Sequence, residues 1–108
     1  MTLVEESYRF SKILPREEAF GLTSQLRRAA ASMPANIAGG YGRDSRGSYV
    51  SFLKIAQGSL KELETHLILC ERLGYAGGEI VSRLLDRCEV VGRMLYGLIR
   101  NVQGAAEA

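Results

Sequence analysis

Apolar residues recur along this chain at intervals of three and four, the spacing that lines one face of an α-helix. Leu3, Ser7, Phe10 and Leu14 share one stripe, with Val4 and Tyr8 beside it, and predict a first helix from Thr2 to Leu14. Pro15 breaks that pattern, because proline lacks an amide donor and restricts the residue before it. Pro15-Arg16-Glu17-Glu18 also reads as a helix start, since proline suits a first turn and carboxylates there complement the helix dipole. The second helix is predicted from about Arg16 to about Ala38, with Leu22, Leu26, Ala29, Ala30, Met33 and Ile37 on its apolar face. Gly21 and Pro34 fall inside it, and Pro34 is expected to kink it. The small run Ala29-Ala30-Ala31-Ser32 lets another helix approach closely.

Residues Gly39 to Ser48 form the one extended breaker segment, where glycine readily provides a left-handed helix cap. Ser45 or Ser48 caps a third helix that runs to about Leu73 on a stripe of Phe52, Ala56, Leu60, Leu63, Leu67 and Cys70. After the turn Gly74 to Gly78, a fourth helix spans about Glu79 to Asn101. Ile80, Leu84, Cys88, Val91, Leu95, Leu98 and Val102 line its first face, and Val81, Leu85, Met94 and Ile99 a second. No strand alternation persists and no Asn-Gly hairpin turn occurs. The reading is an all-α fold: an antiparallel up-down-up-down four-helix bundle, one domain over residues 1–103, with 104–108 a frayed tail. The stripes on the third and fourth helices are wider than one seam requires, which predicts a homo-oligomer.

Charge changes the picture only locally. The net charge of this 108-residue chain is +2. The excess lies between Pro15 and Gly47, where Arg16, Arg27, Arg28, Arg43 and Arg46 outnumber Glu17, Glu18 and Asp44. That placement points to an anionic partner. In the Gly-rich loop, Arg43 and Arg46 can reach phosphate and Tyr41 can stack on a base. Lys54 and Lys61, seven apart, form a basic ridge on the third helix. Arg27 is placed furthest from the apolar stripe of the second helix and Arg28 at its edge. The candidate nucleic-acid-binding set is therefore Arg27, Arg28, Arg43, Arg46, Lys54 and Lys61.

Catalytic, cofactor and metal signatures are missing, so no cofactor and no metal is expected. His66, the only histidine, shares a helix face with Glu62 and Cys70, but no second donor cluster completes a zinc set. Cys70 and Cys88 lie in apolar patterns and read as reduced core thiols, with a disulfide left open. Glu62 and Glu64 project from different faces. Gly40-Tyr41-Gly42 follows a helix and lacks the lysine of a P-loop. Asn36 is expected to satisfy backbone groups freed near Pro34, and Gln25, Ser59 and Glu62 to hydrogen-bond between helices. With neither a signal-peptide pattern nor an apolar run long enough to span a bilayer, the expected location is cytoplasmic, away from membranes.

Leu22-Thr23-Ser24-Gln25-Leu26-Arg27-Arg28-Ala29-Ala30, then Ser32-Met33-Pro34-Ala35-Asn36-Ile37-Ala38, resembles the signature of the 23S rRNA intervening-sequence family of four-helix-bundle proteins. Phe52-Leu53-x-Ile55-Ala56-x-Gly58-Ser59-Leu60-x-Glu62-Leu63-Glu64 and Leu73-Gly74-Tyr75 are similar to a second signature, so the resemblance covers about residues 8 to 102. It extends to the accessory variability determinant of diversity-generating retroelements. It implies an up-down bundle assembled as a homopentamer, without enzymatic activity. For the retroelement relative it implies binding of nucleic acid and of a reverse transcriptase through basic residues. One departure stands out: Gly39 occupies the place of a glutamate common in the family. The function expected is a non-enzymatic oligomeric bundle that binds RNA or DNA; the alternative is a scaffold whose partner is another protein.

Overall fold

The computed structural model describes the backbone of residues 1–107 and the side chains of residues 1–104. It holds α1 (Thr2–Ser11), a single 3-10 turn (Arg16–Glu18), α2 (Leu22–Tyr41), α3 (Arg46–Arg72) and α4 (Gly78–Glu107), with no strand among the described residues. Consecutive helices run antiparallel and pack side by side as an up-down four-helix bundle, a rod measuring 49 × 24 × 18 Å.

The four stripes meet as anticipated. Leu26, Met33, Leu53, Leu63, Leu67, Val81, Cys70 and Cys88 are fully enclosed, and Leu3, Phe10, Leu60, Leu84, Leu95 and Ile99 complete the core. α2 and α3 make the most extensive contact. A polar pin crosses that contact: Ser59 Oγ donates to Ser32 Oγ at 2.8 Å, and Asn36 Nδ2 donates to the same oxygen at 2.9 Å. Ser59 thus bonds between helices as predicted, whereas Gln25 and Glu62 are exposed. Asn36 Nδ2 also reaches Ser32 O at 2.8 Å, the carbonyl one turn before it; the carbonyl that Pro34 leaves without an amide is Ala30 O, so Asn36 does not serve the freed group expected from sequence.

The helix ends differ from the sequence reading for identifiable reasons. α1 stops at Ser11, three residues before Leu14, and its chain leaves in a turn ahead of Pro15. α2 begins at Leu22 instead of Arg16, because Gly21 at φ −113° and ψ −110° leaves helical geometry. Glu18 supplies the missing cap from one turn away, its Oε1 accepting from Leu22 N at 3.1 Å. Pro34 lies within an unbroken helix. Gly39 and Gly40 extend α2 rather than end it, so the predicted loop contracts to residues 42–45. Ser45 caps α3, its Oγ accepting from Ser48 N at 3.0 Å.

The left-handed cap appears at the other end of α3. Gly74 has φ +79°, its amide bonds Glu71 O at 3.0 Å and the next amide, Tyr75 N, bonds Cys70 O at 2.9 Å. This is the Schellman arrangement, and it needs a residue tolerant of positive φ at that place. α4 stays helical to Glu107, past the Asn101 expected from sequence and through most of the stretch read as a frayed tail; Ala108 lies outside the described residues.

Candidate functional site

At one end of the bundle, Gly39 and Gly40 let α3 come close to α2. A Cβ on Gly40 would lie 2.7 Å from Phe52 Cβ and 3.0 Å from Tyr49 Cδ1. This approach fixes the tight turn and what it displays. Tyr41, the last residue of α2, is 79% exposed and meets Tyr49 edge to face, with ring centroids 6.2 Å apart and planes at 88°. Arg43 N bonds Gly40 O at 3.0 Å, and the Arg43 guanidinium lies 4.7 Å from the Phe52 ring centroid, a cation–π contact. Arg46, also exposed, begins α3. Three groups read from sequence as one phosphate-and-base set, Tyr41, Arg43 and Arg46, thus lie on one turn.

The other candidates are distributed elsewhere. Lys54 and Lys61 line a groove of about 820 Å³ between α3 and α4, together with Arg93 and Tyr96. Gly58 and Gly92 open its floor, lacking side chains that would fill it. Lys61 Nζ pairs with Glu64 at 3.5 Å and Arg93 with Glu89 at 3.7 Å, so the charge of this groove is partly neutralised. Arg100 stands 5.8 Å from the Tyr96 ring centroid. Sequence reasoning passed over Arg93 and Arg100, although their seven-residue spacing repeats that of Lys54 and Lys61.

Arg27 and Arg28 exchange the places expected for them. At 100° per residue, Arg27 lies about 110° from the centre of the α2 stripe and Arg28 about 150°. Arg27 is consequently the nearer, and α1 covers it: Arg27 Nε donates to Ser11 Oγ at 2.7 Å and its guanidinium lies 5.5 Å from the Tyr8 ring centroid. Arg28 faces outward, exposed. Arg27 therefore joins α1 to α2 and belongs to the fold.

Cys70 and Cys88 are both free and buried. Burial pushes the Cys70 thiol up to about 11, with a further push from Glu18, and the Cys88 thiol up to about 12, with a further push from Glu64. Neither offers a thiolate near neutral pH. Glu62 is exposed while Cys70 is fully enclosed, so the His66 trio does not converge. Among the described residues no cluster of three His, Cys, Asp or Glu side chains forms a metal-binding group.

A second, apolar groove of about 840 Å³ runs between α1 and α4, lined by Met1, Leu3, Val90, Val91, Met94 and Leu98. The 10-residue α1 lies along only part of the 30-residue α4. Met94 is 68% exposed there. Arg87 Nε bonds Glu6 Oε2 at 2.6 Å and holds α1 to α4 beside it.

These features define a class: small all-α bundles that present basic and apolar surfaces. Residues 1–97 match the family described as 23S rRNA-intervening sequence protein, and the chain belongs to that family. Among solved structures it is similar to a protein of unknown function from the S23 ribosomal protein family of Bacteroides thetaiotaomicron, with 24% identity and a TM-score of 0.76, over 91% of this chain and 98% of that one. That likeness concerns the fold. Among curated proteins none matches. No helix among the described residues is long and apolar enough to cross a membrane.

Proposed function

We propose that this chain is a non-catalytic, self-associating bundle that binds RNA or DNA through its basic surface. The carrying observation is the α2–α3 turn, where Arg43 and Arg46 stand exposed beside the projecting ring of Tyr41. Arg28 and Lys54 add exposed charge along the rod. Cations of this kind bind phosphate by releasing condensed counterions, so affinity falls steeply with salt. A net charge of +2 per chain makes one copy a weak binder, and assembly of several copies multiplies the contacts. The family description, which names an intervening sequence of 23S rRNA, is consistent with a nucleic-acid context.

Self-association is supported by Met94 and Val90 on α4 and by Ile55, Ile68 and Leu69 on α3, all exposed. The resemblance implies five copies. Light scattering should give a multiple of 11.9 kDa, and Met94→Lys should lower it; a single-chain mass for the unmodified protein overturns the assembly. For nucleic acid, a gel shift at low salt should retard an RNA fragment, and retardation should vanish at several hundred millimolar salt. Free migration at micromolar protein overturns that part.

The apolar groove beside α1 favours one second reading, a scaffold whose partner is another protein. A reverse transcriptase is the partner implied by resemblance to the retroelement proteins. Co-purification that survives nuclease and high salt would select it.

A further inference from the structure

Resting on the nucleic-acid reading above, we infer that the α2–α3 turn is a site for unpaired bases, so that the preferred ligand is a single strand rather than a duplex. Tyr41 carries the inference. An edge-to-face pair covers at most one face of a ring. With Tyr49 as its neighbour and 79% of its surface exposed, Tyr41 keeps ring area free in solvent. An aromatic so placed offers stacking area to a base whose own face is open, and bases inside a duplex have both faces occupied.

Arg43 supplies the accompanying phosphate contact. Its backbone is fixed by the bond from Arg43 N to Gly40 O at 3.0 Å, and its guanidinium is held against Phe52 at 4.7 Å. Among the described residues no carboxylate forms an ion pair with it, although the exposed Asp44 is next in sequence. The cation is therefore positioned and available, two residues from the stacking ring. Charge attraction alone would choose the other ligand, because a duplex carries the denser line of phosphates. A preference for single strands must then come from the ring.

Fluorescence anisotropy tests this with end-labelled oligomers of about a dozen nucleotides at low salt: rA and dA single strands, and RNA and DNA duplexes of equal length. The expected result is about tenfold tighter binding of the single strands, consistent with one stacked base. Tyr41→Ala should abolish the preference or reverse it toward the duplex, Tyr41→Phe should keep the preference, and Arg43→Gln should weaken both forms. Tyr41 is a surface residue, and circular dichroism verifies that each variant keeps its helices. Comparison of rA with dA identifies which strand is the better ligand, and preference for either single strand supports the site. Equal or tighter duplex binding, or a preference that survives Tyr41→Ala, overturns the inference and leaves the nucleic-acid reading standing. Absence of binding to every oligomer overturns that reading and this one with it.

Discussion

The phenolic hydroxyl of Tyr75 donates a 2.9 Å hydrogen bond to Glu18 Oε2, while Glu18 Oε1 accepts from Leu22 N at 3.1 Å. One carboxylate thus caps α2 and ties the α1–α2 connection to the α3–α4 turn. Glu18→Ala removes both bonds and should destabilise the bundle by about 0.5–2 kcal/mol from the cap alone. Tyr75→Phe removes only one bond and should have a smaller effect. A double-mutant cycle in urea should show that the two losses are not additive. The bond to Glu18 raises the Tyr75 hydroxyl above its ordinary value. Its contribution is therefore whole below that ordinary value and lost as pH rises through the raised one.

Two glycines should respond to alanine with opposite signs. At Gly40 the added Cβ meets Phe52 Cβ and the Tyr49 ring, so α2 and α3 must part. Overpacking of this kind costs about 1–3 kcal/mol. At Gly58, in the middle of α3, nothing lies within 4 Å of the added atom. Alanine there should stabilise by roughly 0.5–1 kcal/mol through better helix propensity. Thermal melts should move down for Gly40→Ala and up for Gly58→Ala.

The adjacent arginines of α2 should separate in the same experiment. Arg27→Ala loses the bond to Ser11 and the Tyr8 contact, and should cost about 1–3 kcal/mol of stability. Arg28→Ala should leave the melting temperature nearly unchanged. If Arg28 contacts a phosphate, its removal should instead flatten the salt dependence of RNA binding by about one unit of slope.

The buried thiols give an alkaline signature. Both are raised from 9.0, Cys70 to about 11 and Cys88 to about 12, first of all by burial. The folded state favours the protonated thiol, so their stabilising share is intact below pH 9 and lost as pH climbs through 11 and then 12. Urea midpoints should hold level to about pH 9 and decline above it. At pH 8 a thiol reagent should label the native protein only as fast as it opens, and at once in urea.

The helices and their faces were legible because buried positions recur with helical period, and Leu26, Leu63 and Cys88 are enclosed as that period requires. The basic turn was legible too, since Arg43 and Arg46 are neighbours along the chain. What stayed hidden depends on contacts between distant segments. Glu18 read as a first-turn carboxylate, yet it caps from outside α2 and bonds a residue 57 positions away. Gly39 and Gly40 read as terminators, because only the tertiary structure shows Phe52 and Tyr49 occupying the space they leave. Arg93 belongs to the Lys54 groove through the pairing of α3 with α4, which no local pattern announces. Arg27 was legible in part: the angular count puts it nearer the apolar stripe than Arg28, but that α1 covers it shows only in the structure.

The disparity between a ten-residue α1 and a thirty-residue α4 also predicts an order of events. Only four residues separate α2 from α3, so their pairing closes a short loop at little entropic cost. The first helix instead packs less extensively, held through Arg27 and the Glu6–Arg87 pair. Amide hydrogens of α1 should accordingly exchange with deuterium well before those around Met33 and Leu63. A chain built this way should unravel first from its amino-terminal helix, leaving the central hairpin as the last structured remnant.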